Sequence, residues 1–254
     1  MFLVTVWLGT RMVLPSTLIR AVNDYHPGEF ERRLGANPHQ LRQFWIAFLE
    51  NELCSHWARQ HPHLRNKSVG DLICTVPLTV HSDAGPCTKA KSCNCISWSG
   101  LLSQGEEKQC KFLAYSYLKD DNSGDGPSWR RLLEDMDELA SGMVGGEYVA
   151  KRGRRTYKFV LLVCKSDEEV KANEFGLPHF HSPSGPCGDC AADDDTRPWT
   201  DLSEHASWRP TENMPFNVWL DRLRTPHHPL VSSHYNCVSW FFMLTSCTWQ
   251  TAME

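Results

Sequence analysis

The stretch Thr75-Val-Pro-Leu-Thr-Val-His-Ser-Asp83 decides the fold that this sequence predicts. It is apolar and rich in β-branched residues, it ends in a carboxylate, and Ala84-Gly85-Pro86 follows it. This pattern predicts a buried strand that delivers Asp83 to the edge of a sheet, and then a turn. The alternative is simpler, because an aspartate after a strand often does no more than start a turn.

A second stretch, Tyr157-Lys-Phe-Val-Leu-Leu-Val-Cys-Lys-Ser-Asp167, repeats the arrangement. Two strands that each end in an aspartate can place two carboxylates side by side. Paired carboxylates are typical ligands of divalent metal ions. Asp83 and Asp167 are therefore candidate ligands of a divalent metal ion.

Composition limits the class of protein. The chain has 254 residues, 41% of them hydrophobic, which is enough for a packed core. The net charge of −4 and the pI of about 6.3 exclude a polycation, so nucleic acid would have to be bound through a local basic patch or through metal ions. Eleven scattered cysteines fit a reducing compartment better than a disulfide framework. No apolar run is long enough to cross a membrane, and we expect a soluble intracellular protein.

The segment between the two acidic stretches predicts a meander followed by a helix. Cys93–Trp98 and Cys110–Leu118 are expected to be strands joined by short turns, which favours antiparallel pairing. Ser128–Met143 is expected to be an amphipathic helix that ends before Gly145-Gly146. Its predicted buried stripe is Trp129, Leu132, Leu133, Met136, Leu139 and Met143. Its acidic residues Glu134, Asp135, Asp137 and Glu138 are expected to form a solvated face.

The region before Thr75 predicts one long helix over residues 38 to 60. Asn37 can cap it, and apolar and aromatic residues recur at helical spacing: Leu41, Phe44, Trp45, Phe48, Leu49 and Trp57. Pro62 would stop it. His56, His61 and His63 have the composition of a metal site, but at a helix end we expect them to be solvated. Residues 1 to 20 do not decide between a strand and a short helix.

Two further clusters carry functional hypotheses. Lys151, Arg152, Arg154 and Arg155 form the densest basic run, which is either a solvated loop or a contact surface for nucleic-acid phosphates. Cys187 and Cys190 have the spacing of a zinc knuckle, and the nearest further ligand candidates are His179 and His181. The loop over residues 120 to 127 has a calcium-loop-like Asp-Asn-Ser-Gly-Asp, but no glutamate at the required later position, so we expect a plain loop.

The predicted elements follow the order strand, strand, strand, helix, strand, with one acid on the first strand and one at the end of the fourth. This order resembles the catalytic core of RNase H-like nucleases and DDE/D transposases. More specifically, the chain resembles eukaryotic transposase-like proteins of the Plavaka/KDZ type over roughly residues 40 to 210. The motifs that carry the resemblance are His81-Ser-Asp83, Ser166-Asp167 and Pro186-Cys-Gly-Asp-Cys190, in that order.

The resemblance implies an α/β fold with an RNase H-like mixed sheet, in which the fourth strand pairs parallel to the first, together with flanking helices and a small Cys-x-x-Cys insertion. It implies cleavage or strand transfer at a DNA phosphodiester by a protein of mobile-element origin that works on DNA in the nucleus. Asp83 and Asp167 would be catalytic residues that hold Mg²⁺ or Mn²⁺, and structural Zn²⁺ would be bound at the knuckle. The implied domains are a helical region (1–70), the RNase H-like core (71–175), the knuckle with a helical insertion (176–230) and a divergent tail (231–254).

Two positions depart from the family pattern. Ser166 stands where the family tends to have glycine before the second acid. The third acid is expected just after Pro226–Leu230, but residues 231 to 254 contain no aspartate, so the chain looks truncated or diverted there. Asp221, Glu212 and Glu204 match nothing in the pattern. We therefore expect an impaired or inactive enzyme.

Two other classes of function compete with this one. The first is a non-catalytic module in which zinc at Cys187 and Cys190 stabilises the fold while Arg152, Arg154 and Arg155 contact nucleic acid or a protein partner. The second is a cysteine-centred enzyme, for which no cysteine carries a helix-start or Cys-His signature.

Overall fold

The computed structural model describes residues 12–86, 88, 92–118 and 126–166. Within these ranges, five helices precede the first strand: α1 (Pro15–Tyr25), α2 (Phe30–Leu34), α3 (Pro38–Glu50), α4 (Glu52–Gln60) and α5 (Val69–Leu72). The strands and remaining helices follow in the order β1 (Thr75–Pro86), β2 (Ser92–Gly100), α6 (Glu107–Cys110), β3 (Phe112–Leu118), α7 (Gly126–Ser141), β4 (Met143–Val144), β5 (Glu147–Tyr148), β6 (Ala150–Arg152) and β7 (Arg155–Ser166). The protein is thus mixed α/β, as predicted. None of the helices in these ranges is both long and apolar enough to cross a bilayer.

The chain divides into two compact units, residues 1–162 and residues 163–254. The first unit holds all the described helices and the strands from β1 to β6. Of the second unit, only Val163–Ser166, the last residues of β7, are described.

The five-stranded sheet has the order β3-β2-β1-β7-β6. β1 with β2, β2 with β3, and β6 with β7 are antiparallel pairs. The amide N of Lys158, near the start of β7, donates to the carbonyl O of Cys74, just before β1, at 2.9 Å. Because both residues lie at the beginnings of their strands, β7 runs parallel to β1, and the sheet is mixed. The predicted meander is confirmed.

The first half of β1 is buried on both sides. Every residue from Thr75 to Val80 is buried, and exposed positions begin only after it, with His81 half-buried, Ser82 buried and Asp83 exposed. Continuous burial of an apolar run is typical of a strand in the middle of a sheet whose two faces are covered. β1 is such a strand, and it passes from a covered part of the molecule to an open one.

The predicted helix over residues 38 to 60 is two helices, so that prediction was wrong in its extent. Asn51 lies between them with an extended backbone (φ −71°, ψ 124°), and its side-chain oxygen accepts a hydrogen bond from the amide of Cys54. Asn37 caps α3 in the same way, by accepting from the amides of His39 and Gln40. An asparagine side chain can replace the backbone acceptor that a continuous helix would supply, which is why it starts a new helix here.

The helix predicted at Ser128–Met143 is α7, but its C-terminal end differs. It ends at Ser141, followed by Gly142 in the left-handed region (φ 85°), and Met143 belongs to the small β4–β5 hairpin. The Gly145-Gly146 pair therefore forms the turn of that hairpin and does not end the helix. The small strands β4, β5 and β6 were not predicted, because two or three residues are too few to show a period.

Asp135 corrects the prediction that the acidic residues of α7 form a solvated face. It is fully buried, and its carboxylate accepts hydrogen bonds from the amide and the hydroxyl of Ser16 at the start of α1. Burial raises the pKa of this carboxyl, although the two hydrogen bonds from Ser16 oppose the rise. Asp135 thus ties α7 to α1 and is not available to solvent.

Candidate functional site

Asp83, the first predicted acid, lies on an exposed and polar face of the sheet. It is paired across the β1–β2 ladder with Cys95, which is paired in turn with Ser116 of β3. All three are exposed, whereas their chain neighbours Ser82 and Asn94 are buried. Since residues that are directly opposite in a ladder point to the same face, Asp83, Cys95 and Ser116 form one polar row across three strands.

The turn predicted at Ala84-Gly85-Pro86 is wrong, and so is the alternative that Asp83 only starts a turn. β1 continues to Pro86, with Gly85 opposite Cys93 and Pro86 opposite Ser92. The ladder with β2 satisfies the backbone there, and the proline occupies the last position of the strand, where it is tolerated. Asp83 therefore sits within a strand, in a fixed register, three residues before its end.

The remaining metal-site candidates lie outside the described residues. These are Asp167, the zinc candidates His179, His181, Cys187 and Cys190, and the possible third acids Glu204, Glu212 and Asp221. Their positions stay predictions. In the ranges that are described, no group of three or more His, Cys, Asp and Glu side chains is arranged to hold a metal ion.

The basic run is not a loop but a tight hairpin. Lys151 and Arg152 are in β6, Arg155 begins β7, and Gly153 takes the left-handed conformation (φ 60°) that the turn requires. Arg152 and Arg155 are directly opposite each other. Lys151, Arg154 and Arg155 are exposed, and none of the four cations forms a salt bridge with a described carboxylate.

Aromatic rings support two of these cations. The guanidinium of Arg152 lies 5.1 Å from the ring centre of buried Phe30, and the Nζ of Lys151 lies 5.1 Å from the ring centre of Tyr148, which is half exposed. Like charges that face each other across a ladder destabilise it, and cation–π contacts offset part of that cost. A polyanion placed on this hairpin would neutralise the remaining repulsion.

The predicted solvated histidines divide into three environments. His56 is exposed, as expected. His63 is half-buried, and its Nε2 lies 2.7 Å from the carboxylate of Asp137 on α7. His61 is buried against Trp57, and its Nδ1 accepts a hydrogen bond from the amide of His63, so the prediction was wrong for His61. The burial of His61 could not be predicted from its residue type, because the ring that covers it comes from the preceding turn of α4.

Burial makes His61 a group that stays neutral in the folded protein. Desolvation, and secondarily the charge of His63, lower its pKa to about 3, and the carboxylate of Asp137 only partly opposes this. An unfolded chain would protonate His61 near the ordinary value of about 6.5. The unfolded state therefore gains protons at this residue as the pH falls below about 6.5, while the folded state does not.

We expect this difference to destabilise the protein by about 2 kcal/mol when the pH is lowered from 7 to 5. His61→Asn keeps a hydrogen-bond acceptor near the position of Nδ1 but cannot be protonated. Urea unfolding of both proteins at several pH values measures the effect, and the wild type should lose more stability than the variant. Equal pH dependence in the two proteins would contradict the assignment.

Comparisons of the chain with models of known protein families, with curated proteins and with solved structures found no match.

Proposed function

We propose that this chain contains an RNase H-like domain derived from a transposase, built for metal-dependent cleavage or strand transfer at DNA phosphodiesters and impaired by the lack of a recognisable third carboxylate. The observation that supports the proposal is the order and direction of the strands in the sheet. An antiparallel β1-β2-β3 meander is followed by α7, and the next long strand, β7, returns to lie parallel beside β1. This is the arrangement that the family resemblance implies for the strands bearing the first two acids.

The pairing of β1 with β7 supports similar positions along the sheet for the two acids. It also restricts the face of the sheet to which each carboxylate would point. Asp83 and Asp167 lie nine residues beyond Cys74 and Lys158, the residues joined by the hydrogen bond at the start of the parallel pair. A parallel ladder bonds an amide to the carbonyl of a residue one step out of register, so regular strands would point the two carboxylates to opposite faces. The proposal therefore requires Asp167 to depart from the ladder and turn toward the face of Asp83.

Asp83 itself suits a hard divalent ion. Its carboxylate is exposed on the polar face, where a hydrated Mg²⁺ can reach it, and Mg²⁺ prefers one or two carboxylates together with water and phosphate oxygens. A bound pair of such ions would stabilise the attacking and leaving oxygens at the phosphorus. The contribution of the chain is to fix Asp83 on a rigid strand, since its position is set by pairing with Cys95.

The alternative function, a non-catalytic nucleic-acid-binding module, is favoured by one observation of its own. The β6–β7 hairpin presents Lys151, Arg154 and Arg155 to solvent without described carboxylate partners. Such a surface binds phosphates without requiring a metal or any catalytic residue. Zinc at Cys187 and Cys190 belongs to this alternative as a prediction about residues outside the described ranges.

A nicking assay separates the two functions. We expect the purified chain to nick supercoiled DNA slowly in Mg²⁺ or Mn²⁺ and not in a chelator, and Asp83→Asn to reduce the rate at least tenfold because the variant loses a charged metal ligand. Asp24→Asn, at an exposed aspartate in α1, is the matched control. Salt-dependent DNA binding with no metal-dependent nicking would reject the nuclease proposal and favour the module.

An experimental structure with Mn²⁺ tests the geometry, since the proposal predicts carboxylates of Asp83 and Asp167 within about 4–6 Å of each other.

A further inference from the structure

Two thiols stand together on the exposed face of β2. Cys93 and Cys95 are two residues apart in one strand, so both side chains point to the same face, and their Sγ atoms are 4.0 Å apart. Cys95 is exposed and Cys93 is half-buried. The sequence pattern predicted only that these two cysteines lie in the first residues of a strand.

Two described residues of β1 next to this pair leave room for an ion and place a negative charge near it. Gly85 is directly opposite Cys93, and a Cβ atom added at Gly85 would meet nothing within 4 Å. Asp83 is directly opposite Cys95, and side chains in such a pair have Cβ atoms about 4.5–5.5 Å apart. An ion above the two sulfurs therefore meets no side chain at position 85 and lies near a carboxylate.

We propose that Cys93 and Cys95 form a binding site for one soft, monovalent d¹⁰ metal ion, with Cu(I) as the representative. Thiolate ligands select soft ions, and two thiolates supply the whole ligand set of a two-coordinate Cu(I) but only half of a tetrahedral zinc site. If an ion forms bonds of about 2.3 Å to both sulfurs at their observed separation of 4.0 Å, the sulfur–metal–sulfur angle is roughly 120°. A small rotation of either side chain opens this angle further.

This inference does not depend on the proposed nuclease function. It uses Asp83 only as a nearby charge, whereas the nuclease proposal uses it as a ligand of a hard ion. Binding releases the two thiol protons as the two sulfur–metal bonds form, and the ion does not change its oxidation state. The strands that carry the site, β1 and β2, are paired along the whole segment concerned.

Competition with a colorimetric Cu(I) chelator, under anaerobic and reducing conditions, tests the site in the full chain. The chain has eleven cysteines, so variants are compared with equal numbers of thiols removed. We expect Cys93→Ser/Cys95→Ser to lose one equivalent of tightly bound Cu(I), and Cys54→Ser/Cys74→Ser, whose thiols lie on α4 and just before β1, to retain it. Asp83→Asn should weaken binding by about fourfold, through loss of one charge at about 5 Å in a solvated setting.

A second measurement does not depend on the folding of variants. A monosubstituted trivalent arsenical condenses with two neighbouring thiols, forming two As–S bonds and releasing one water from its oxide. We expect peptide mapping of the treated wild-type protein to find the bridged adduct on the segment containing residues 93 to 95, and bound Cu(I) to protect that segment. Equal loss of Cu(I) in both double variants, or no bridged adduct at residues 93 to 95, would overturn the proposal. Retained Mg²⁺-dependent nicking in Cys93→Ser/Cys95→Ser would show that the two functions are separate.

Discussion

We expect Gly100→Ala to destabilise the protein by about 3 kcal/mol or more, because the last residue of β2 has no room for a side chain. A Cβ atom at this position would lie 2.1 Å from the carbonyl O of Leu34 and 2.7 Å from its carbonyl C. Both are backbone atoms, so the clash cannot be relieved by rotating a side chain. Relief would require α2 or the end of β2 to move.

The backbone of α2 also approaches the chain after β2 closely at Gly35. Gly35, which ends α2 in the left-handed conformation (φ 67°), would place a Cβ atom 2.5 Å from the carbonyl C of Leu102. Two glycines thus allow the end of α2 and the end of β2 to approach backbone to backbone. The contact anchors the helical region against the strand that carries Cys93 and Cys95.

Gly85→Ala is the matched control for Gly100→Ala. Gly85 is also a strand glycine paired across the β1–β2 ladder, but an added Cβ atom meets nothing within 4 Å. We expect a stability within about 0.5 kcal/mol of the wild type, or slightly above it, since alanine restricts the unfolded chain. Chemical unfolding followed by circular dichroism measures both variants. A Gly100→Ala protein as stable as Gly85→Ala would show that the close approach is absent.

The second large effect is expected at Trp45. This residue is fully buried in α3, its ring packs edge-to-face against Phe48, and its Nε1 donates to the carbonyl O of Thr75 at 2.8 Å. Trp45→Ala should cost about 3–5 kcal/mol, through the lost burial and the cavity left behind. Since Thr75 begins β1, the same substitution releases the start of the strand that positions Asp83.

Trp45→Phe separates packing from hydrogen bonding. It keeps an aromatic ring in the core but leaves the carbonyl of Thr75 without its donor, which should cost about 1–3 kcal/mol. Urea unfolding of the wild type and both variants gives the two components. If Trp45→Ala cost less than Trp45→Phe, the indole would not be the link between α3 and β1 that the structure shows.

The sequence predicted the longer helices and strands, because each contains enough residues to show a hydrophobic period. The apolar run from Thr75 to Val80, the residues of β2 and β3, the stripe of α7 and the run from Tyr157 to Cys164 all gave the correct type of element. The short helices α2 and α5 and the strands β4 to β6 were not predicted, since their few residues carry no measurable period. The placement of β7 beside β1 came from the family resemblance and not from any local pattern.

Position in the three-dimensional fold explains the errors. Asn51 ends one helix and starts another because its side chain takes over an amide of the next turn. Asp135 and His61 were expected in solvent because their types usually are, but Ser16 from α1 and Trp57 from α4 cover them. The turn expected after Asp83 is a paired strand because β2 supplies the backbone partners.

By itself, the sequence determined the type of the longer strands and helices and that Asp83 follows a buried β-run, because apolar spacing and capping residues act over a few neighbouring positions. Only the tertiary structure decided that Asp83 shares an open face with Cys93 and Cys95, that the basic run is a hairpin, and which titratable groups lose contact with water. These properties depend on the register between strands that are distant in the sequence and on which side chains cover them. Neither is encoded in the local pattern of the residues concerned.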